Sequence, residues 1–386
     1  MNPKIRQLYD ICTAALNKCQ YTDSIIDEHF LFVAAKENGL IGLVYPVIAA
    51  ILTDENIKTK FQKEHYAYIA ADIKQKETAN LINSLLNDKG IDHIYLKGIM
   101  LKKLYPESYM RAMGDIDIFI RENQRNDIEA IFAEAKIKIV GHAEHHDNYL
   151  YGKDIHIEVH HHLFPDRHPF VTIDPWTCTK SGDLHCFYFE KEYELVYLLS
   201  HLAKHFTSSG AGLRSLLDIG LYLQSNLNEL NPDKTLGYLK EIALDGFFTH
   251  VIYLNHYCFN LELPEKFLFS KCLSSLDYKK LAQYVVKAGV HGYGQSFNVF
   301  AVQMATHQLK AHRILSFYIK KIFPPYRTMA KIYPVLAKGK ILLPFCWIIR
   351  WFSLLFKKTT YRKIKKLNFS NKEVTDNINF IKRIGL

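Results

Sequence analysis

The stretch that most restricts the fold of this chain is Leu96 to Ile120, LKGIMLKKLYPESYMRAMGDIDIFI. An apolar run before it (Ile91, Ile94, Tyr95, Leu96) reads as a strand ending at Lys97-Gly98. Ile99 to Tyr105 reads as a helix that Pro106 stops, and a loop then carries Arg111 and Gly114 into a second strand, Asp115 to Ile120. Side chains alternate along a strand, so Asp115 and Asp117 share one face while Ile116, Ile118 and Ile120 take the other. Two partly desolvated carboxylates side by side repel each other, which argues against a purely structural role. Hard oxygen ligands on one strand edge suit a pair of divalent cations.

Lys-Gly before a helix, then Tyr-Pro, Arg and Asp-Ile-Asp, resembles the uncharacterised bacterial nucleotidyltransferase family of the polymerase-beta-like superfamily. The resemblance implies an α+β fold, in which a small mixed sheet flanked by helices sits between helical N- and C-terminal regions. It also implies a third acidic residue in a later strand. In Asp154 to His160, DIHIEVH, Ile155, Ile157 and Val159 point one way and His156, Glu158 and His160 the other, so Glu158 is the candidate. It follows a helix (Asn126 to Ala135) and one intervening strand, and His160, two residues on, also matches the family. A helical stretch further on, His201, His205, Leu213-Arg214 and Asp218, is similar to the family's helical domain.

By that resemblance, Asp115 and Asp117 hold two Mg²⁺ ions (with Mn²⁺ as a substitute), and Glu158 holds the ion beside the nucleophile. The backbone N–H groups of Gly98 and Ile99 receive the phosphates of an NTP. Lys97 replaces the small residue usual in the superfamily, and its ammonium is expected to touch phosphate. Arg111 is expected either to be a further phosphate contact or to hold Asp115. The implied reaction is in-line attack of an acceptor hydroxyl on the α-phosphorus, with pyrophosphate leaving. The acceptor is left open among a small molecule, a protein side chain and an RNA end. Two rival readings use the same residues: a catalytically silent nucleotide-binding protein, and a phosphohydrolase.

Charge bears on the partners. The chain of 386 residues is +10, but from Ala311 onward seventeen Lys and Arg face only Glu373 and Asp376. That tail is +15, which leaves −5 for residues 1–310 and mildly disfavours long nucleic acids as partners of the body. Within the tail, Ile341 to Phe356 is apolar and aromatic, flanked by Lys338, Lys340, Lys357 and Lys358, and interrupted by Pro344 and Arg350. It falls short of the ~20 apolar residues that span a bilayer. Trp347, Trp351 and the basic flanks suit peripheral membrane contact through 341–366, and the alternative is a helix packed on the protein itself. RNA contact through the same lysines is the weaker partner reading.

Four regions result: an N-terminal helical region 1–87, a catalytic core 88–190, a helical domain 191–310 and a basic amphipathic tail 311–386. Within the first, Glu37 to Ala50 reads as an apolar helix broken near Pro46. Phe187 to Phe189 reads as a further short strand, and Gly289 to Gly294 as a turn, since a dinucleotide loop would need a strand before it and a helix after it. Seven cysteines without a C-x-x-C pair favour a reducing compartment, and MNPKIRQLYD carries no apolar signal core. A cytoplasmic protein, peripheral at most to the inner face of a membrane, is expected. Histidines crowd 142–168, but their spacing fits no standard zinc set, and strand alternation separates His161 from His160 and His162. On the helical stretch two readings stand: Arg214 and Asp218, four residues apart, pair with each other while His201 and His205 line a helix interface, or these groups face the cleft and contact the nucleotide base or the acceptor.

Overall fold

The computed structural model describes residues 1–164, 173–208, 210–290, 319, 322–330, 332–333, 335–336, 339–355, 379 and 381–386. The chain divides into two compact units. The first comprises Met1–Ala203, Ala211–Gln295 and Gly385; the second comprises Lys204–Gly210, Ser296–Ile384 and Leu386.

Four helices open the first unit: α1 Pro3–Leu16, α2 Glu28–Glu37, α3 Ile41–Ile48 and α4 Glu55–Asp88. Asn2, Asp27 and Asp54 cap α1, α2 and α4 by accepting hydrogen bonds from backbone N–H groups of the first turn. The expected break at Pro46 does not occur there, because α3 runs through it to Ile48. Val47 and Ile48 beyond the proline are buried, and that burial offsets the single helix bond that proline removes. Helix α4, 34 residues long, meets the segment 116–120 with its C-terminal half. There Ala79, Ile82 and Leu86 pack into one core with Ile116, Ile118 and Ile120.

Seven strands form one mixed sheet in the order β3-β4-β5-β2-β1-β7-β6. They are β1 His93–Tyr95, β2 Asp115–Ile120, β3 Lys138–His142, β4 His146–Tyr151, β5 Ile155–His160, β6 Thr179–Ser181 and β7 Cys186–Phe189. Between β1 and β2 lies the short helix α5, Gly98–Leu101, continued as a 3₁₀ turn, and between β2 and β3 lies α6, Arg125–Glu134. Two strands, β3 and β4, thus stand between α6 and β5, where the sequence indicated one. Lys138–His142 is an edge strand whose alternate residues are exposed, so it lacks the apolar signal of a buried strand.

Central strand β2 pairs antiparallel with β1 and parallel with β5. One sheet face buries Ile116, Ile118, Ile120, Ile155, Ile157 and Val159 against Ile128, Ile131 and Phe132 of α6. The alternation read from both strands therefore holds, and it leaves the acids on the opposite face. Helices α7 Lys191–Ser208, α8 Leu213–Asn226, α9 Pro232–Glu241, α10 Asp245–Phe259 and α11 Ser275–Ala288 follow the sheet.

In the second unit, α12 Tyr326–Ala330 and α13 Leu343–Leu355 pack around Met329, Leu336 and Cys346. Trp347 and Trp351 donate their indole N–H to the carbonyls of Pro324 (2.9 Å) and Ile322 (2.8 Å), and both rings meet Phe323 edge-on. The tryptophans expected at a membrane interface are therefore engaged within the protein. No helix among the described residues is long and apolar enough to cross a membrane. Residues 356–366 of the expected membrane segment, His168 and residues 291–294 of the expected turn lie outside the described residues.

Candidate active site

Parallel register between β2 and β5 places Asp115 opposite His156, Asp117 opposite Glu158 and Phe119 opposite His160. Residues 41 positions apart in sequence, such as Asp117 and Glu158, thereby come to share one sheet face. Asp117, 5% exposed, is the hub. It accepts a hydrogen bond from His160 Nε2 at 2.9 Å and pairs with Lys97 Nζ at 3.1 Å. Glu158 lies 3.4 Å from the same His160 nitrogen and 3.8 Å from His146 Nε2. Donor atoms of Asp117, Glu158 and His160 all fall within 4.8 Å of one another.

The charges explain the protonation states. Burial alone would push the Asp117 carboxyl up, but the Lys97 ammonium and the His160 imidazole hold it down at about 2. Burial and the charges of Asp117 and Glu158 push Asp115 up to about 6, because the Lys97 charge offsets them only in part. The hydrogen bond from His160 lowers Glu158. His160 itself is raised: burial opposes its charge, yet Asp117 and Glu158 together outweigh that. Lys97 is likewise raised, since Asp117 outweighs the burial that would lower it. The result is a carboxylate cluster that the Lys97 ammonium and the His160 imidazole balance incompletely. Such a donor set, oxygen-rich and with Asp115 only weakly compensated, fits divalent cations such as Mg²⁺.

The elements around β2 position the remaining residues. Lys97 has φ 40° and ψ −101°, a conformation that L side chains seldom adopt, and it turns the chain from β1 into α5. Gly98 follows with no room for a side chain, because a Cβ there would stand 2.2 Å from Met113 Sδ. Gln75 of α4 donates to the Met113 carbonyl at 2.9 Å, tying this turn to the long helix. Ile99 packs its side chain on the sheet core, leaving its backbone N–H in the first turn of α5, where helix geometry supplies no acceptor.

Arg111 neither holds Asp115 nor reaches the acids. It forms a buried fork with Asp218 of α8, Nε to Oδ1 and Nη2 to Oδ2 at 2.8 Å each, and its Nη1 lies 3.5 Å from the Gly98 carbonyl. Tyr105 also donates to Asp218, at 2.9 Å. The expected Arg214–Asp218 pair does not form in this arrangement; Arg214 Nη1 donates instead to the Ala112 carbonyl at 2.6 Å. Both arginines thus brace the segment 98–112 from opposite ends of its loop.

From α7, His201 Nε2 comes within 3.4 Å of Lys97 Nζ, whereas His205 belongs to the other compact unit. Tyr197, one turn before His201, is buried close to Lys97 and Asp117, and its hydroxyl is pushed up to about 12, chiefly by burial. Sequence reading passed over Tyr197, and it counted His146 only among the crowded histidines of 142–168, as a loop residue, whereas it opens β4. The i, i+4 spacing of Tyr197 and His201 carried a signal; His146 becomes legible only once β4 is known to pair with β5.

A search among curated proteins finds no match. One solved structure that matches is the solution structure of the antibiotic-resistance factor ANT(2'')-Ia, at 12% identity, covering 43% of this chain and 90% of that one with a TM-score of 0.34. That likeness is too slight to bear on fold or function. The family model describing uncharacterised nucleotidyltransferases matches residues 25–260, which include every acid, the Lys97-Gly98 turn and the Arg111–Asp218 fork. The chain belongs to that nucleotidyltransferase family.

Proposed function

We propose that this transferase moves a nucleoside monophosphate from an NTP to an acceptor hydroxyl, with Asp115, Asp117 and Glu158 as the residues that hold two Mg²⁺ ions. The observation that carries the reading is the pairing of Asp117 with Glu158 across parallel strands, with Asp115 two residues away on the same face. Bound there, the ions would offset charge on the attacking and leaving oxygens. The chain supplies the rest. Lys97, on a flexible stem beside Asp117, meets the phosphates of the nucleotide, together with the N–H groups of Gly98 and Ile99. Glu158 draws the proton of the acceptor hydroxyl, and His160 holds Glu158 and Asp117 in register through one nitrogen.

The purified protein, Mg²⁺ and each α-labelled NTP in turn, with cell extract as the acceptor source, test this directly. Wild type should transfer label to an acceptor, and Asp115→Ala/Asp117→Ala should reduce transfer at least about a thousandfold. Free labelled NMP without any labelled acceptor would point to hydrolysis instead. An unchanged rate in the double variant would remove the acids from the mechanism.

For the acceptor's whereabouts, we infer contact with an anionic membrane surface through α13. Phe345, Ile348, Ile349 and Phe352 recur at helical spacing and are all exposed, opposite the face that carries Trp347 and Cys346. The tail around this stripe carries seventeen basic residues against two acids, which is the charge that acidic headgroups attract.

A further inference from the structure

Beyond the catalytic acids, the far ends of β2 and β5 bring together a second group of ligating side chains. Because the two strands run parallel with Phe119 opposite His160, the residues leaving them, Glu122 on one side and His161-His162 on the other, emerge together. Donor atoms of Glu122, His161 and His162 lie within 4.8 Å of one another, with His162 Nε2 3.6 Å from Glu122 Oε1. Sequence spacing alone could not suggest this set, since Glu122, in the 3₁₀ turn after β2, stands 39 residues before His161.

An independent observation singles out His161. It is 6% exposed, yet neither ring nitrogen has a hydrogen-bond partner. Buried imidazole nitrogens left without partners cost free energy, and native proteins rarely keep two on one ring. The Nδ1 of His145 is buried and unpartnered as well. The His145 carbonyl accepts hydrogen bonds from the backbone N–H groups of His161 (3.1 Å) and His162 (3.2 Å), and the His145 ring centroid is 6.4 Å from that of His162.

We propose that Glu122, His161 and His162 form a zinc site, separate from the catalytic acids, with His145 placed to supply the fourth ligand. Two or three imidazoles with one carboxylate are a donor set for Zn²⁺ rather than Mg²⁺. The charge of Arg125 also reaches His161. Arg125 does not counter the ion unopposed, because Asp147 accepts from it twice, at 2.7 and 2.8 Å. A zinc ion here would clasp β2 to β5 one residue beyond His160 and so fix the register that pairs Asp117 with Glu158.

The test uses full-length protein stripped with a chelator and titrated with Zn²⁺ alone against a chromophoric competitor, with Co²⁺ as the spectroscopic probe. Wild type and Asp117→Asn/Glu158→Gln should each take up about one tight equivalent, as a site of one ion requires. Glu122→Gln/His162→Asn should bind at least about a hundredfold more weakly, since even partners of metal ligands cost about 10–100-fold. Both substituted side chains are partly solvent-exposed, so this variant should fold, and circular dichroism would verify that it does. Any other pattern overturns the proposal. No tight zinc in wild type would do so, as would loss confined to the Asp117/Glu158 variant or retention in both.

Discussion

Asp218 receives three hydrogen bonds in a buried setting, two from Arg111 and one from Tyr105. A buried carboxylate stripped of its guanidinium keeps its desolvation cost and loses what offset it. Arg111→Ala should therefore destabilise the protein by about 3–5 kcal/mol, and Arg111→Lys should not rescue it, because an ammonium cannot form the two-pronged contact. Replacing both partners, Arg111→Met with Asp218→Leu, should cost clearly less than either single loss. Urea unfolding of the four proteins measures this; a double variant as unstable as Arg111→Ala would show that the fork is not the unit. The same pair marks a limit of sequence reading. Arg214 and Asp218 stand one turn apart on α8, and helical spacing favours that partnership. The fold instead brings in Arg111 from 107 residues away, and a two-bond fork to a buried carboxylate outcompetes a neighbour one turn off.

At the scale of single elements, the turn from β1 into α5 is the part of the site built with the least slack. Lys97 sits in a sparsely populated backbone region, and Gly98 has Met113 where a side chain would go. Gly98→Ala should displace either the turn or Met113, and a displacement of about 1 Å at such a site costs about a hundredfold in kcat/KM. Since the clash is with a side chain, Gly98→Ala/Met113→Ala should recover much of the loss. Equal damage in single and double variants would mean that the backbone, not the methionine, forbids the methyl group. Elements such as this were legible because they punctuate: Lys-Gly at a strand end, Pro106 after a helix, Asp-Ile-Asp in strict alternation. Strands β3 and β6 left no such trace. Both are short, and most of their residues are half-exposed or exposed, so no apolar period separates them from loop. Pro46 misled in the opposite direction, since its local cost was outweighed by burial of Val47 and Ile48 that only the tertiary fold provides.

For the molecule as a whole, charge and exposed apolar surface are distributed unevenly. Residues 1–310 carry −5, and the last 76 residues carry +15. A protein whose chemistry needed long nucleic acid near its acids would gain from basic residues around them, whereas here the basic residues lie in the segment that also exposes Phe345, Ile348, Ile349 and Phe352. An amphipathic helix binds a bilayer through two separable terms, apolar insertion and attraction to acidic headgroups. With Trp347 and Trp351 already bonded to residues 322–324, the insertion term falls on those four side chains. Vesicles of neutral lipid should therefore retain little of the protein, and vesicles with a third anionic lipid should retain it in a manner that weakens with salt. Phe345→Ser/Phe352→Ser should remove most of the retention at physiological salt, where screening weakens a headgroup attraction of about 1 kcal/mol for each lysine near the surface and insertion has to make up the difference. Retention by anionic vesicles that survives this double substitution would assign binding to charge alone. Preference for RNA over vesicles at equal salt would turn the tail into a nucleic-acid contact and move the search for the acceptor toward RNA ends.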